Sequence, residues 1–286
     1  MKYSSLIEAL QLLFKIFVVF GLFAFANCVH AKGNRASECE ALPLQVQLPR
    51  LVVVGEVHGT NEHQKIAAQL VCRGIREGRN VVLALEIRST EQSRIDEFLR
   101  SAMTPEDTTE LLSGQVWQSD FQFGVASRAM LELIKTVGRW RASGASVAIT
   151  TFDRPLQAVA GQPSTAQQKQ LRQRREDAMA ANIDELASAS SNDLVVVLVG
   201  RAHIAKNDDA KPTEFRSIAT LLAPKHKFLS VGVAYSGGTA WVCTFAEGKN
   251  KCGPQDFESY APPLGDLTIV VDAGVLSASP PAVETR

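Results

Sequence analysis

The sequence predicts a single α/β domain: a mostly parallel sheet with helices on both faces, and a C-terminal hairpin added to it. Three observations predict this. Four short apolar runs, at 51–54, 81–85, 146–152 and 194–199, have the length and continuity of strands buried on both faces. Segments with helical spacing separate them, which is the pattern of parallel strands joined by crossovers. There is no internal repeat, and no linker long enough to divide the chain.

The elements follow in order. Residues 1–31 read as a signal peptide. Lys2 and Lys15 precede the apolar run 16–26, which is short for a membrane span and suited to a signal core. Val29-His30-Ala31 fits a small-x-small cleavage pattern, with lipoprotein processing at Cys28 as the rival. Residues 32–49 are polar and irregular, broken by Pro43 and Pro49, and the domain proper is expected over 50–272. After the first strand, 60–77 has helical spacing, with Ile66, Leu70 and Ile75 among its apolar positions, and Gly78-Arg79-Asn80 turns into the second strand. Helical patterns follow at 91–102, 106–113 and 124–143, then the third strand. A loop with Pro155, Gly161 and Pro163 leads to a long helix at 164–188, whose Arg- and Gln-rich middle should meet water. The fourth strand is followed by a helix near 213–223. Residues 227–235 and 239–245 read as a hairpin, 267–271 as a last strand, and 273–286 as a disordered tail.

Composition narrows the function. Cleavage after Ala31 leaves 255 of the 286 residues, with 28 basic side chains against 29 acidic. No basic excess points to nucleic acid, and no second long apolar run points to a membrane span in the mature chain. The expected location is therefore secreted or periplasmic. Four cysteines remain after cleavage, an even number that suggests two disulfides in an exported protein. Cys243 and Cys252 flank a polar turn and would staple a hairpin, leaving Cys39 with Cys72. The two other pairings stay open.

Each buried strand ends in polar residues: Glu56 and His58, Glu86 and Arg88, Asp153 and Arg154, and Gly200-Arg201-Ala202-His203. Parallel strands bring these ends to one rim, where ligands bind in such sheets. Glu56 and His58 are two apart, so on an extended strand they share a face. A carboxylate there can fix the imidazole tautomer and raise its basicity, making His58 a candidate general base. The same pair suits a metal, with His203 or Glu86 completing the shell. Thr60 suits a helix cap, and Glu62 either favours the helix start or faces substrate. Arg175 reads as an anion clamp, and Trp117 as a pocket wall. His63 and His226 read as a helix-face and a surface residue. There is no phosphate loop, GxGxxG or GxSxG, so hydrolysis would have to use water activated by His or a metal.

Gly55-Glu56-Val57-His58-Gly59-Thr60-Asn61-Glu62, Leu85-Glu86, the stretch from Arg175 to Ile183, and Gly200-Arg201-Ala202-His203 together resemble the erythromycin esterase-like/ChaN-like superfamily, related to the TraB/Tiki proteins. The resemblance spans roughly 50–235. It implies catalytic or ligand roles for Glu56, His58, Glu86 and His203, with Arg175, Trp117, Asp153 and Glu62 expected to bind substrate. It also implies two functions. One is hydrolysis of a small-molecule ester, lactone or peptide, metal-assisted if His58 and His203 hold a divalent ion. The other is binding of haem or iron without turnover, through His58 or His203, or through Tyr235 or Tyr260.

Overall fold

Residues 51–54 are Leu-Val-Val-Val because the strand they form, β1 (Leu51–Glu56), is buried at every position. The computed structural model describes residues 39–119, 124–154, 164–189, 193–205, 215–246, 249–261, 267–270 and 274–283. The expected signal peptide and the Pro155–Pro163 loop lie outside them. Helix α1 (Glu62–Arg76) crosses to β2 (Asn80–Arg88). Helices α2 (Gln92–Arg100), α3 (Pro105–Leu112) and α4 (Arg128–Ala142) precede β3 (Val147–Asp153). Helix α5 (Thr165–Ala189) leads to β4 (Asp193–Gly200), and a short 3₁₀ turn, Arg201–Ile204, follows it directly. Helix α6 (Ile218–Leu222), β5 (Phe228–Ala246), β6 (Lys249–Tyr260) and β7 (Leu267–Val270) complete the order.

The sheet runs β3-β2-β4-β1-β5-β6, with β7 also on β5. β1 to β4 and the start of β5 are parallel, and only β6 is antiparallel to its neighbour. Because β4 lies between β1 and β2, Glu56, Glu86 and Gly200 finish side by side.

Alternation along the strands decides which helix covers which side chain. Leu51, Val53, Val195, Val197 and Val199 face Met179, Ile183 and Ala187 of α5 with Ile218 and Leu222 of α6. Leu194 and Val81 close over α1 on the opposite face, where a Cβ on Gly74 would lie 2.5 Å from Leu194. Each fully buried Val or Leu contributes about 1.5–3 kcal/mol by leaving water. The buried residues of α5 are Glu176, Met179, Ala180, Ile183 and Ala187. Their spacing of three and four makes a stripe confined to the second half of the helix, so the Arg- and Gln-rich first half is solvated as expected.

Two expectations are corrected. The C-terminal hairpin exists, but β5 and β6 form it, and residues 227–245 by themselves do not. They form one strand that passes through Gly237 and Gly238 at φ +146° and +119°, and the reversal to β6 comes after Ala246. The paired glycines stay within the strand, and the missing Cβ of Gly238 lets it lie against Leu276, where an added Cβ would meet the carbonyl oxygen at 2.1 Å. The tail is likewise not disordered over 274–283. Leu276 is buried, and bridges join Gly238 to Leu276, Thr60 to Ala278 and Ser127 to Pro281.

Both expected disulfides form. Cys39–Cys72 ties the irregular N-terminal segment to α1, and Cys243–Cys252 joins facing residues of β5 and β6. No helix among the described residues is long and apolar enough to cross a membrane.

Candidate active site

Glu56 ends β1 on the α1 side of the sheet, where Gln64 of α1 donates to its Oε2 at 2.7 Å. Its Oε1 lies 2.9 Å from His58 Nδ1. A carboxylate can only accept, so Nδ1 carries the proton and Nε2 of neutral His58 presents a lone pair to the cleft. Burial opposes protonation of His58, but the charge and hydrogen bond of Glu56, with Glu86 beyond, outweigh it and raise its pKa above 6.5.

Glu86 ends β2 at the centre of the site. The Gly200 amide donates to its Oε2 at 2.8 Å, and Arg175 Nη2 donates to its Oε1 at 2.6 Å. His58 Nε2 stands 3.6 Å from Oε2, and His203 Nε2 stands 3.5 Å from Oε1. Burial alone would protonate this carboxyl. Instead His203, His58 and Arg175 hold it well below the ordinary carboxylate range, so it is an anion at neutral pH.

His203 follows β4 in the 3₁₀ turn, and its Nδ1 lies 2.5 Å from Glu176 Oε1. Burial works against the imidazolium, but Glu176 and Glu86 win and its pKa rises to about 9. Glu176 is fixed from its other oxygen, Oε2, which accepts the Ile218 amide at 3.1 Å. Arg175 grips Asp153 in a fork, Nε to Oδ1 and Nη2 to Oδ2, each at 3.0 Å.

The result is two Glu–His pairs, Glu56–His58 and Glu176–His203, facing each other across one shared carboxylate. Gly200 permits the approach: a Cβ there would stand 3.0 Å from His58 Nε2 and 3.4 Å from both Glu86 Oε2 and His203 Cδ2. The site opens into a cleft of about 450 Å³, lined by His58, Glu86, Asp153, Arg175 and His203 with Arg88, Gln115, Val116, Ser119 and Val125. Arg88 lies in register with Asp153, but Arg175 already occupies both Asp153 oxygens. Arg88 is thus the cleft cation without a carboxylate partner among the described residues.

Of the residues expected from sequence, Glu56, His58, Glu86, His203, Arg175 and Asp153 come together here. Two do not. Trp117 is fully buried, and the cleft is lined by Gln115 and Val116 beside it. Glu62 turns away to hold Ser277, accepting its amide at 3.0 Å and its hydroxyl at 2.5 Å. Thr60 caps no helix: Asn61 holds that position, and the Thr60 hydroxyl bonds the Val57 carbonyl and His63. His63 is buried and neutral, with burial pushing its pKa down to about 3. Sequence reasoning missed Glu176 and Gln64. Glu176 is adjacent to Arg175, and one helical step turns it about 100° away, toward the 3₁₀ turn. Only the position of His203 could have marked it.

Both Glu86 oxygens already accept, from Arg175 and from the Gly200 amide, and among the described residues no group of three His, Cys, Asp or Glu side chains is arranged to hold a metal ion. The cleft lining is mixed, with charged side chains beside Val116 and Val125. Tyr235 and Tyr260 pair with each other at 5.6 Å and with Arg201, outside the cleft lining.

No family model matches the chain, and none of the curated proteins does. Among solved structures, an erythromycin esterase mutant in its open conformation matches with a TM-score of 0.54 and 15% identity, over 72% of this chain and 76% of that one. A Bacillus cereus protein matches with a TM-score of 0.56 and 11% identity, over 81% and 76%. The chain shares their fold. A haem-bound ChaN of Campylobacter jejuni matches more loosely, with a TM-score of 0.39 and 15% identity, over 65% and 82%.

Proposed function

We propose that the chain is an exported hydrolase of small-molecule esters or lactones, with water activated at His58. One observation carries the reading: two oppositely placed Glu–His pairs share Glu86 at the mouth of a cleft of substrate size. Glu56 holds the His58 proton on Nδ1, so Nε2 takes a proton from water as it attacks the carbonyl. The imidazolium that forms is stabilised by Glu56 and Glu86. His203, protonated at neutral pH, offers its Nε2–H to the carbonyl oxygen as negative charge develops, and then to the leaving alkoxide. Arg175 and Asp153 keep Glu86 from moving, and Arg88 is free to meet an acyl or anionic group of the substrate. The shared fold with an erythromycin esterase supports the reaction class. The two disulfides support an oxidising, extracytoplasmic location.

The test is a panel of ester, lactone and peptide substrates, with wild type against His58→Ala. The wild-type rate should be bell-shaped in pH. Its acid limb should lie above 6.5, where His58 loses its proton, and its alkaline limb near 9, where His203 does. Unchanged turnover in His58→Ala sinks the assignment. The haem- or iron-binding alternative is read separately by haemin titration, and a Soret shift that disappears with the His58 and His203 side chains would restore it.

A further inference from the structure

The turn that carries His58 is held from outside the sheet by the C-terminal segment. The Gly59 carbonyl accepts two amides, from Trp241 at 2.9 Å and from Ser279 at 2.7 Å. Gly59 sits at φ +74°, where an added Cβ would meet the Trp241 carbonyl at 2.2 Å, and a Cβ on Gly124 would meet the Gly59 amide at 2.3 Å. One residue after His58, the backbone is therefore enclosed by β5, by the loop that lines the cleft, and by the C-terminal segment.

That segment is anchored on three elements. Thr60 bridges Ala278, and the Asn61 amide donates to the Ser277 carbonyl at 3.1 Å. Asn61 Nδ2 donates to Ser277 Oγ at 2.9 Å, and Glu62 takes the Ser277 amide and hydroxyl. At the start of α4, the buried Ser279 hydroxyl accepts the Ala129 amide at 2.9 Å, and Pro280 accepts the Arg128 amide at 2.8 Å. On β5, Leu276 exchanges amide and carbonyl with Gly237 and Thr239. The contacts at 59–62 all fall on the turn and first helical residue after His58, and one of them satisfies the Asn61 amide at the open start of α1.

We propose that residues 276–282 are a strap that sets the orientation of His58, with Ser277, Ser279 and Glu62 as its positioning residues. The proposal rests on the hydrolase reading for its kinetic consequence only. Removing the strap leaves the Gly59 carbonyl with the Trp241 amide alone and opens the Asn61 amide to water, which lets the turn rotate, so His58 Nε2 loses its place over Glu86 while the sheet remains. A displacement of about 1 Å at a catalytic group costs on the order of 100-fold in rate.

The experiment compares the full chain with a version ending at Ala273. Two readouts are taken: kcat and KM on an ester turned over by the wild type, and the NMR titration of the His58 imidazole, which needs no substrate. The truncation is expected to lower kcat about 100-fold, to change KM by less than about threefold, and to move the His58 midpoint back toward 6.5. A peptide of residues 274–286, added in trans, should restore all three. A whole-chain variant, Glu62→Gln with Ser277→Ala, guards against a truncation that fails to fold and is expected to move the same quantities in the same direction. Wild-type values in both variants overturn the proposal. If the wild type hydrolyses nothing while the His58 midpoint still shifts, the hydrolase reading falls and the strap stands.

Discussion

Glu176→Gln isolates the less obvious of the two Glu–His pairs. In the wild type, the proton on His203 leaves near pH 9 instead of 6.5, because Glu176 and Glu86 outweigh the burial that opposes the charge. At about 1.4 kcal/mol per pH unit, that difference corresponds to about 3 kcal/mol of folding stability. A raised imidazole pKa stabilises the fold fully below the unfolded value, and the contribution disappears as pH climbs through the folded one. The wild type should therefore lose about 3 kcal/mol between pH 6.5 and 9.5 from this residue alone. In a domain of this size that is roughly 6–12 °C in Tm. Glutamine keeps the size and shape of the side chain beside His203 Nδ1 and removes the charge 2.5 Å away. The variant should titrate His203 at least about one pH unit lower and show about half the alkaline loss of stability. The assays are NMR titration of the His203 ring and thermal unfolding from pH 6 to 10. A wild-type His203 that titrates at its ordinary pKa, or a variant that titrates with the wild type, refutes the role of Glu176.

Other outcomes follow from the same geometry. Gly200→Ala puts a methyl group 3.0 Å from His58 Nε2, so turnover should fall about tenfold while unfolding barely changes; equal loss of Tm and activity would contradict this. Arg175→Lys cannot fork Asp153 and hold Glu86 at once, and should cost about 1 kcal/mol in urea titration, a figure kept low because Arg175 is about one-third exposed. Replacing both cysteines of the Cys39–Cys72 bridge, which closes a 33-residue separation, should cost about 4 kcal/mol against about 3 for the 9-residue Cys243–Cys252 bridge; the reverse order would show that the unfolded-chain account fails here.

Much of the architecture was open to reading from the chain alone. The apolar runs at 51–54, 81–85, 146–152 and 194–199 are long enough only for strands, and burial on both faces demands their continuity. Once the strands are parallel, the polar residues that end them share one edge, so Glu56, His58, Glu86 and His203 were identifiable from position and residue type. Periodicity fixes which side of a helix or strand a residue takes, and it reports nothing about what waits there. Glu176 and Gln64 needed the crossovers that place α5 and α1 against opposite faces of the sheet. Trp117 and Glu62 had the right chemistry in the right neighbourhood, but packing buried one and Ser277 captured the other. The tail shows the same limit most clearly. Gly-Val-Leu-Ser-Ala-Ser-Pro-Pro has no periodicity of its own, and its order comes from amides and carbonyls offered by Gly59, Asn61, Ala126 and Thr239. Local sequence sets strands, helices and the rim on which charged groups gather. Partners far apart in the chain decide which of those groups touch, because hydrogen bonds and charge pairs depend on distances of a few ångströms that only the closed fold defines.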